Sequence, residues 1–223
     1  MSHSFRFVAI AALFTTALIT SNLIAVKLFA LGPLVLPAAV ILFPVTYILG
    51  DVLTEVYGYG RARQVIWLGF LCNLVAVAAI WAAGALPPAG FWGGQPAWDE
   101  IFGFAPRILF ASFAAYLVGE FANAYVLARM KIATGGRHLW ARTIGSTIVG
   151  QGLDSTVFIT VAFFGVLPTG ALASTIVLQW MLKTAYEAAA TPLTYAIVGS
   201  LKRAEGVDQF DRDTRFNPLL LRD

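Results

Sequence analysis

VIWLGFLCNLVAVAAIWAAG, Val65 to Gly84, is an uninterrupted stretch of uncharged residues. As a helix rising about 1.5 Å per residue it would reach across about 30 Å, the thickness of a bilayer's hydrocarbon layer. Working outward from it, apolar runs of similar length recur at Phe5 to Leu31, Leu34 to Val56, Ile108 to Met130, Thr143 to Gly165 and Ala171 to Gly199. Apolar residues make up 59% of the chain and charged ones 12%, a balance that a water-soluble domain of this size does not have. The expectation is an all-α integral membrane protein of six transmembrane helices, one domain over residues 1–223 with a short charged C-terminal tail from about residue 202. The links are too short for a separate catalytic domain, so function has to sit inside the helix bundle.

Ser2 to Arg6 starts like a secretory signal, but the apolar stretch continues past Thr20 to Asn22 and Lys27, too long for a cleaved h-region. It reads as a retained first span. Cys72 stands alone and excludes an internal disulfide. With the N-terminus inside, twelve of the fifteen Lys and Arg residues fall on the cytoplasmic side, Arg107 alone falls outside, and Lys27 and Lys183 lie within spans. By the positive-inside rule both termini are cytoplasmic. The net charge of +3 then follows from topology and gives no reason to expect a nucleic-acid partner. The outer segment Pro87 to Pro106 carries Phe91, Trp92, Trp98, Phe102 and Phe104, the aromatic content of an interfacial cap or a lid.

The informative residues are those that hydrocarbon should exclude. Glu120, Asp154, Lys183 and Glu187 lie well inside their spans, at about 3 kcal/mol each if they faced lipid, so they should face one another or water. Lys27, Asp51 and Glu55 sit nearer span ends and are candidates for gating or coupling. Helical spacing sorts these groups onto faces. The sixth span carries Gln179, Lys183 and Glu187 at i, i+4 and i+8, flanked by Trp180 and Tyr186. The fourth carries Tyr116, Glu120 and Asn123. The fifth carries Gln151, Asp154, Ser155 and Phe158 after Gly145, Gly150 and Gly152, which would let the backbone approach a ligand or break the helix. The second carries Asp51 and Glu55 beyond Pro44, an expected kink. Ser21 and Asn22 notch the first.

Each group also has a plain structural reading. Asn22, Asn123 and Gln151 can be interhelical hydrogen-bond glue. Lys183 and Glu187 can neutralise each other, and Asp51 and Glu55 can pair with Arg61 or Arg63. Trp180, Tyr186 and Phe158 can be packing. Polar faces on at least four helices nevertheless point to one central site, because glue rarely needs so many ionisable groups.

The stretches SNLIAVKLF (Ser21 to Phe29), FPVTYILGDVLTEVYGYGRAR (Phe43 to Arg63), LWARTIGSTIVGQGLDSTVF (Leu139 to Phe158) and LKTAYEAAATPLTYAIVGSLKRAE (Leu182 to Glu205) resemble the queuosine precursor transporters of the vitamin uptake transporter family. The resemblance covers nearly the whole chain in order. It implies uptake of the 7-deazaguanine bases preQ0 and preQ1 across a bacterial inner membrane. The family pattern carries Gln and Asp where this chain has Glu120 and Asn123, an exchange that keeps one acid on the same face. Such a base offers adjacent N–H donors for a carboxylate, a carbonyl for an amide or ammonium, and a flat face for a ring. Asp154 or Glu120 would take the donor edge, Gln151, Asn22 or Lys183 the carbonyl, and Glu187 or Asp51 an aminomethyl cation. A three-plus-three inverted repeat has slight support from the matching depths of Asn22 and Glu120.

Other classes compete. A substrate-binding subunit of an energy-coupling-factor vitamin importer also has six spans, but its Ala-x-x-x-Ala docking pattern is poorly matched by Ala11 with Thr15 or Ala17 with Ser21. An intramembrane aspartyl protease could use Asp51 and Asp154, yet Ile48 stands where its G-x-G-D signature wants glycine. No cofactor is expected, and no metal, since His3 and His138 lie outside the spans without ligand spacing. The expected partners are a small-molecule substrate and the lipid bilayer, with a homodimer left open.

Overall fold

A computed structural model describes residues 4–31, 34–103 and 106–220. Ser2, His3, Phe104 and Arg222, which entered the sequence reading, lie outside the described residues. The chain folds into helices α1 (Phe5–Ile24), α2 (Phe43–Tyr57), α3 (Tyr59–Gly84), the short α4 (Gln95–Phe102), α5 (Pro106–Ala133), α6 (Leu139–Phe163) and α7 (Thr169–Glu205). One antiparallel hairpin, β1 (Leu28–Leu31) with β2 (Leu34–Pro37), separates α1 from α2.

The hairpin corrects an all-helical reading of the first two apolar runs. Helix α1 ends at Ile24, and a 3-10 turn at Ala38–Ile41 precedes α2. The run from Leu34 therefore becomes α-helical only at Phe43. Pro37 supplies the reason, since proline in a helix interior removes a donor and clashes with the preceding turn. Pro44 falls in the first turn of α2, where proline is tolerated, so it starts the helix instead of kinking it. At the other end Gly58, with φ of 86°, turns the chain sharply from α2 into α3.

Among the described residues four helical segments are long and apolar enough to cross a membrane: Phe5–Ile24, Ala38–Tyr57, Tyr59–Gly84 and Gln95–Ala133. Helices α6 and α7 are long enough but more polar, because they carry Gln151, Asp154, Lys183 and Glu187. With 37 residues, α7 is about 55 Å long and exceeds the hydrocarbon thickness.

Helix α2 is the centre of the bundle. Most of its residues are buried, and it packs on α1, α3, α5 and α7. Phe14, Ile48, Val52, Leu53 and Val56 form the main core with Leu139 and Val198. Helices α5 and α6 form the most extensive pair, and glycine permits their approach. A Cβ on Gly119 would lie 2.8 Å from Asp154 Cβ, and one on Gly150 would lie 2.7 Å from Asn123 Cβ. Small residues at a crossing are how membrane helices come close. Gly150 thus serves a helix contact, and α6 runs unbroken through it.

Outside the long helices, Trp98 of α4 lies 4.7 Å from the Phe102 ring and places its indole nitrogen 2.9 Å from where a Gly84 Cβ would stand. Trp98 thus packs against the end of α3, while Phe91 is left 94% exposed.

Candidate functional site

Phe43, Tyr47, Asp51 and Glu55 recur every fourth residue along α2, so they form one stripe. Tyr47, Asp51 and Glu55 are each at most 1% exposed. Around Tyr47 and Asp51 the bundle brings in Glu120 and Asn123 from α5, Asp154 from α6 and Glu187 from α7, all buried, and Gln151 is buried one turn before Asp154 on α6. The charges of Asp154, Glu120 and Glu187 all act on the Tyr47 hydroxyl, and those of Glu187 and Glu120 act on Asp51. Four carboxyls therefore share one layer of the protein interior.

One ammonium answers them. Lys183 Nζ lies 2.5 Å from Asp154 Oδ2 and 4.3 Å from the centre of the Phe43 ring. The pairing of Lys183 with Glu187, which their i, i+4 spacing allows, is not what forms. Helices α6 and α7 pack together, and Asp154 across that contact takes the ammonium. Among the described residues no cation stands within ion-pair distance of Asp51, Glu120 or Glu187.

Asn123 donates Nδ2 to Asp51 Oδ1 at 2.7 Å. That bond fixes the amide's orientation, so Asn123 Oδ1 is left as an acceptor. Among the described residues it has no partner, and neither do Asp51 Oδ2, Gln151 Oε1, Gln179 Oε1, Glu187 Oε1 or the Ser155 hydroxyl. Buried polar atoms are nearly always hydrogen-bonded, and leaving one unpaired costs about 1–3 kcal/mol. The carboxyl and amide atoms of this set are all acceptors, and the hydroxyls of Ser155, Thr147 and Thr184 beside them can donate or accept. Chemically, such a layer suits a molecule rich in N–H donors.

The other predicted residues are placed as follows. Asn22 is half-buried near the end of α1, beside Ser21, whose hydroxyl donates to Ala39 O. Lys27 is exposed beyond α1 and does not join the cluster. Gln179 is half-buried one turn before Lys183. Tyr116 donates to Ile66 O at 2.9 Å and pins α5 to α3. Trp180 donates to Ile148 O at 2.9 Å and ties α7 to α6, whereas Phe158 packs edge-on against Phe163 of its own helix. Tyr186 is 42% exposed. Sequence reasoning passed over Tyr47 and Phe43, although their spacing from Asp51 was the signal that could have found them.

Glu55 belongs to a second cluster at the basic end of the bundle. Its expected partners, Arg61 and Arg63, are engaged elsewhere. Arg61 lies over the Phe7 and Tyr57 rings, and Arg63 donates to the carbonyls of Arg215 and Asn217. Glu55 Oε1 instead receives Arg142 Nη2 at 2.8 Å and Lys202 Nζ at 2.7 Å, with Lys131 Nζ at 3.6 Å. Lys131 also donates to Glu55 O at 2.5 Å and to Asp208 at 2.6 Å. Arg142 makes a further bond to Arg137 O. Partial burial pushes the Asp208 carboxyl up, but hydrogen bonds from Lys131 and Lys202 and their positive charges outweigh it, leaving Asp208 below its ordinary value. At the opposite end Arg107 donates to Val161 O and Phe164 O, each at 2.6 Å, and caps α6.

Comparison with known proteins adds the class. The family model described as "Putative vitamin uptake transporter" matches residues 37–197, most of the chain. The chain belongs to this family of vitamin uptake transporters. A protein of Bacillus subtilis named "Probable queuosine precursor transporter" is 31% identical over 181 residues, 81% of this chain and 79% of its own length. The Escherichia coli protein named "Queuosine precursor transporter" is 28% identical over 55% of this chain and 52% of its own length. A Haemophilus influenzae protein, also named "Probable queuosine precursor transporter", is 26% identical over 55% of this chain and 49% of its own length. No solved structure matches significantly. The protein is therefore a membrane transporter and not an enzyme, which removes the aspartyl protease reading of Asp51 and Asp154. Those two acids are in any case engaged with Asn123 and Lys183 respectively.

Proposed function

We propose that the protein imports queuosine precursors, the 7-deazaguanine bases preQ0 and preQ1, across the bacterial inner membrane. The observation that carries this reading is the set of unpaired buried acceptors on Asp51, Asn123, Gln151 and Glu187, to which the names of the relatives supply the substrate class. A deazaguanine edge carries adjacent ring N–H and amine donors that these oxygens would accept. Lys183, held by Asp154 over the Phe43 ring, would donate to the base carbonyl. Phe43 and Tyr47 would bound the flat face of the ring. Glu187 and Asp51 would also receive the aminomethyl cation of preQ1, and Glu120 would complete the acid layer.

In this reading α1, α2, α3, α5, α6 and α7 all cross the membrane, three on each side of the outer α4 segment, with both termini cytoplasmic. Helices α6 and α7 tolerate hydrocarbon because their polar faces turn inward. Uptake of labelled base by the purified protein in proteoliposomes, with and without a proton gradient, is the test. Guanine-like bases should compete and adenine should not, because adenine lacks the donor edge and leaves buried acceptors unpaired. Equal competition by adenine would overturn the recognition scheme. A single cysteine at Gln95 should label from outside, and one at Gly136 only after permeabilisation; the reverse pattern would overturn the topology.

A further inference from the structure

Lys131 and Arg142 stand at the water-facing end of the bundle, yet each is only 1% exposed. Arg142 is enclosed by Glu55, Thr134 and Arg137. What covers Lys131 is the tail after Gly206, which ends α7 at a φ of 64°. The Gln209 amide donates to Val56 O at 3.2 Å, and both Asp211 carboxylate oxygens accept from the Tyr59 amide at 3.0 Å, capping α3. Arg63 holds the carbonyls of Arg215 and Asn217, each at 2.9 Å, and Trp67 donates to Pro218 O at 2.7 Å. Lys131 binds Asp208 and, at 2.7 Å, Gln209 O. The Phe216 ring sits 5.1 Å from Tyr59 and 5.3 Å from Tyr125. The tail thus spans α2, α3 and α5 at once.

Beneath it, Glu55 ties α2 to Arg142 of α6, Lys202 of α7 and Lys131 of α5. Glu55 is one helical turn from Asp51, so this junction lies directly between the acceptor layer and the basic end. Any solute leaving the layer by that end must part helices that the junction joins. We propose that the C-terminal tail and the Glu55 junction form the intracellular gate of the transporter, with the tail a latch that must lift from α5 before Lys131 can release Glu55. The gate rests on the cytoplasmic placement of the basic end, and not on which base is carried.

The test uses the full chain with Cys72→Ser and a reporter Thr147→Cys, a buried position on α6 between Arg142 and Gln151. An impermeant thiol reagent applied to inside-out vesicles should label the reporter slowly. Asp208→Asn with Asp211→Asn should raise that rate several-fold, with no change in right-side-out vesicles. Unchanged labelling in a folded, monodisperse variant would overturn the latch, whereas a rise only in right-side-out vesicles would overturn its cytoplasmic placement. In a second arm, Tyr125→Cys and Phe216→Cys are bridged by a short, reducible cross-linker. Uptake of labelled preQ1 should fall to background and return on reduction; undiminished uptake while bridged would overturn the gate. Absence of preQ1 uptake before bridging would count against the substrate reading, and the labelling arm would still decide the latch.

Discussion

Asp51 and Glu55 stand one turn apart on α2, and each is 0% exposed. Their surroundings differ completely. Glu55 is met by three cations and a covering tail. Asp51 receives one amide, faces other acids, and keeps Oδ2 without a partner among the described residues. A buried acid with matched cations holds structure together. A buried acid among acids, beside amides with free acceptors, is kept for something the protein does not itself provide. On the proposed function, the same residue chemistry at the same depth of burial serves assembly in one layer and recognition in the next.

Glu55→Gln should break the comparison hardest. It leaves Arg142, Lys131 and Lys202 around a neutral amide, and removing one partner of a buried pair costs about 3–5 kcal/mol. The variant should lose thermal stability in detergent, or fail to give a monodisperse peak. Normal melting would mean that the junction contributes nothing to assembly.

Asp51→Asn should do the opposite. The amide is isosteric, can still accept from Asn123, and removes a charge from an acid-rich layer. Melting should stay near wild type while uptake falls, at about 1–3 kcal/mol for each lost donor match, or roughly 5- to 150-fold. Asp154→Asn belongs between the two, because it removes an acid of the layer and also the partner of Lys183. Uptake should fall to background with a moderate loss of stability, and Lys183→Met on the same chain should recover stability without transport. Normal transport by Asp154→Asn would confine that acid to a structural role.

Gly150→Ala sharpens the comparison by perturbing the layer without altering a charge. Its Cβ would stand 2.7 Å from Asn123 Cβ and 3.0 Å from Gly119 O, so α5 and α6 must shift. Overpacking of this kind costs about 1–3 kcal/mol. A lowered melting temperature with a raised KM for the base is expected, and unaltered values for both would show that the α5–α6 crossing has slack.

How much of this was legible in the sequence divides along the same line. The helices were, because hydropathy and length are local. So was the inward face of α2, α6 and α7, since i, i+3 and i, i+4 spacing placed Asp51 with Glu55, Gln151 with Asp154 and Lys183 with Glu187. Partners were not. Lys183 chose Asp154 over Glu187, and Glu55 chose Arg142 and Lys202 over Arg61 and Arg63. In both cases the sequence favoured neighbours along the chain, while helix packing delivered a residue tens of positions away. The tail was read only as small and charged, because its bonds run largely through backbone carbonyls such as those of Gln209 and Asn217, which composition does not reveal. The hairpin between α1 and α2 was hidden by its own apolarity, although Pro33 and Pro37 mark where a helix cannot continue.

The smallest effect expected is a pH dependence at the edge of the junction. The Asp208 side chain is 46% exposed, so solvent screens its pairs with Lys131 and Lys202 and their contribution is modest. Its acidity in the folded protein is nevertheless stronger than the ordinary value of 3.8. A group whose folded value is depressed adds stability that is fully present above the unfolded value and is lost as pH falls through the folded one. Melting measured in detergent from neutral pH downward should therefore lose a small increment below about pH 4 that Asp208→Asn lacks. The variant should melt slightly below wild type at pH 7 and converge with it in acid. A difference that instead widened as the pH fell would mean that Asp208 is not held ionised by Lys131 and Lys202, and that the tail is anchored by its backbone bonds and by Asp211 alone.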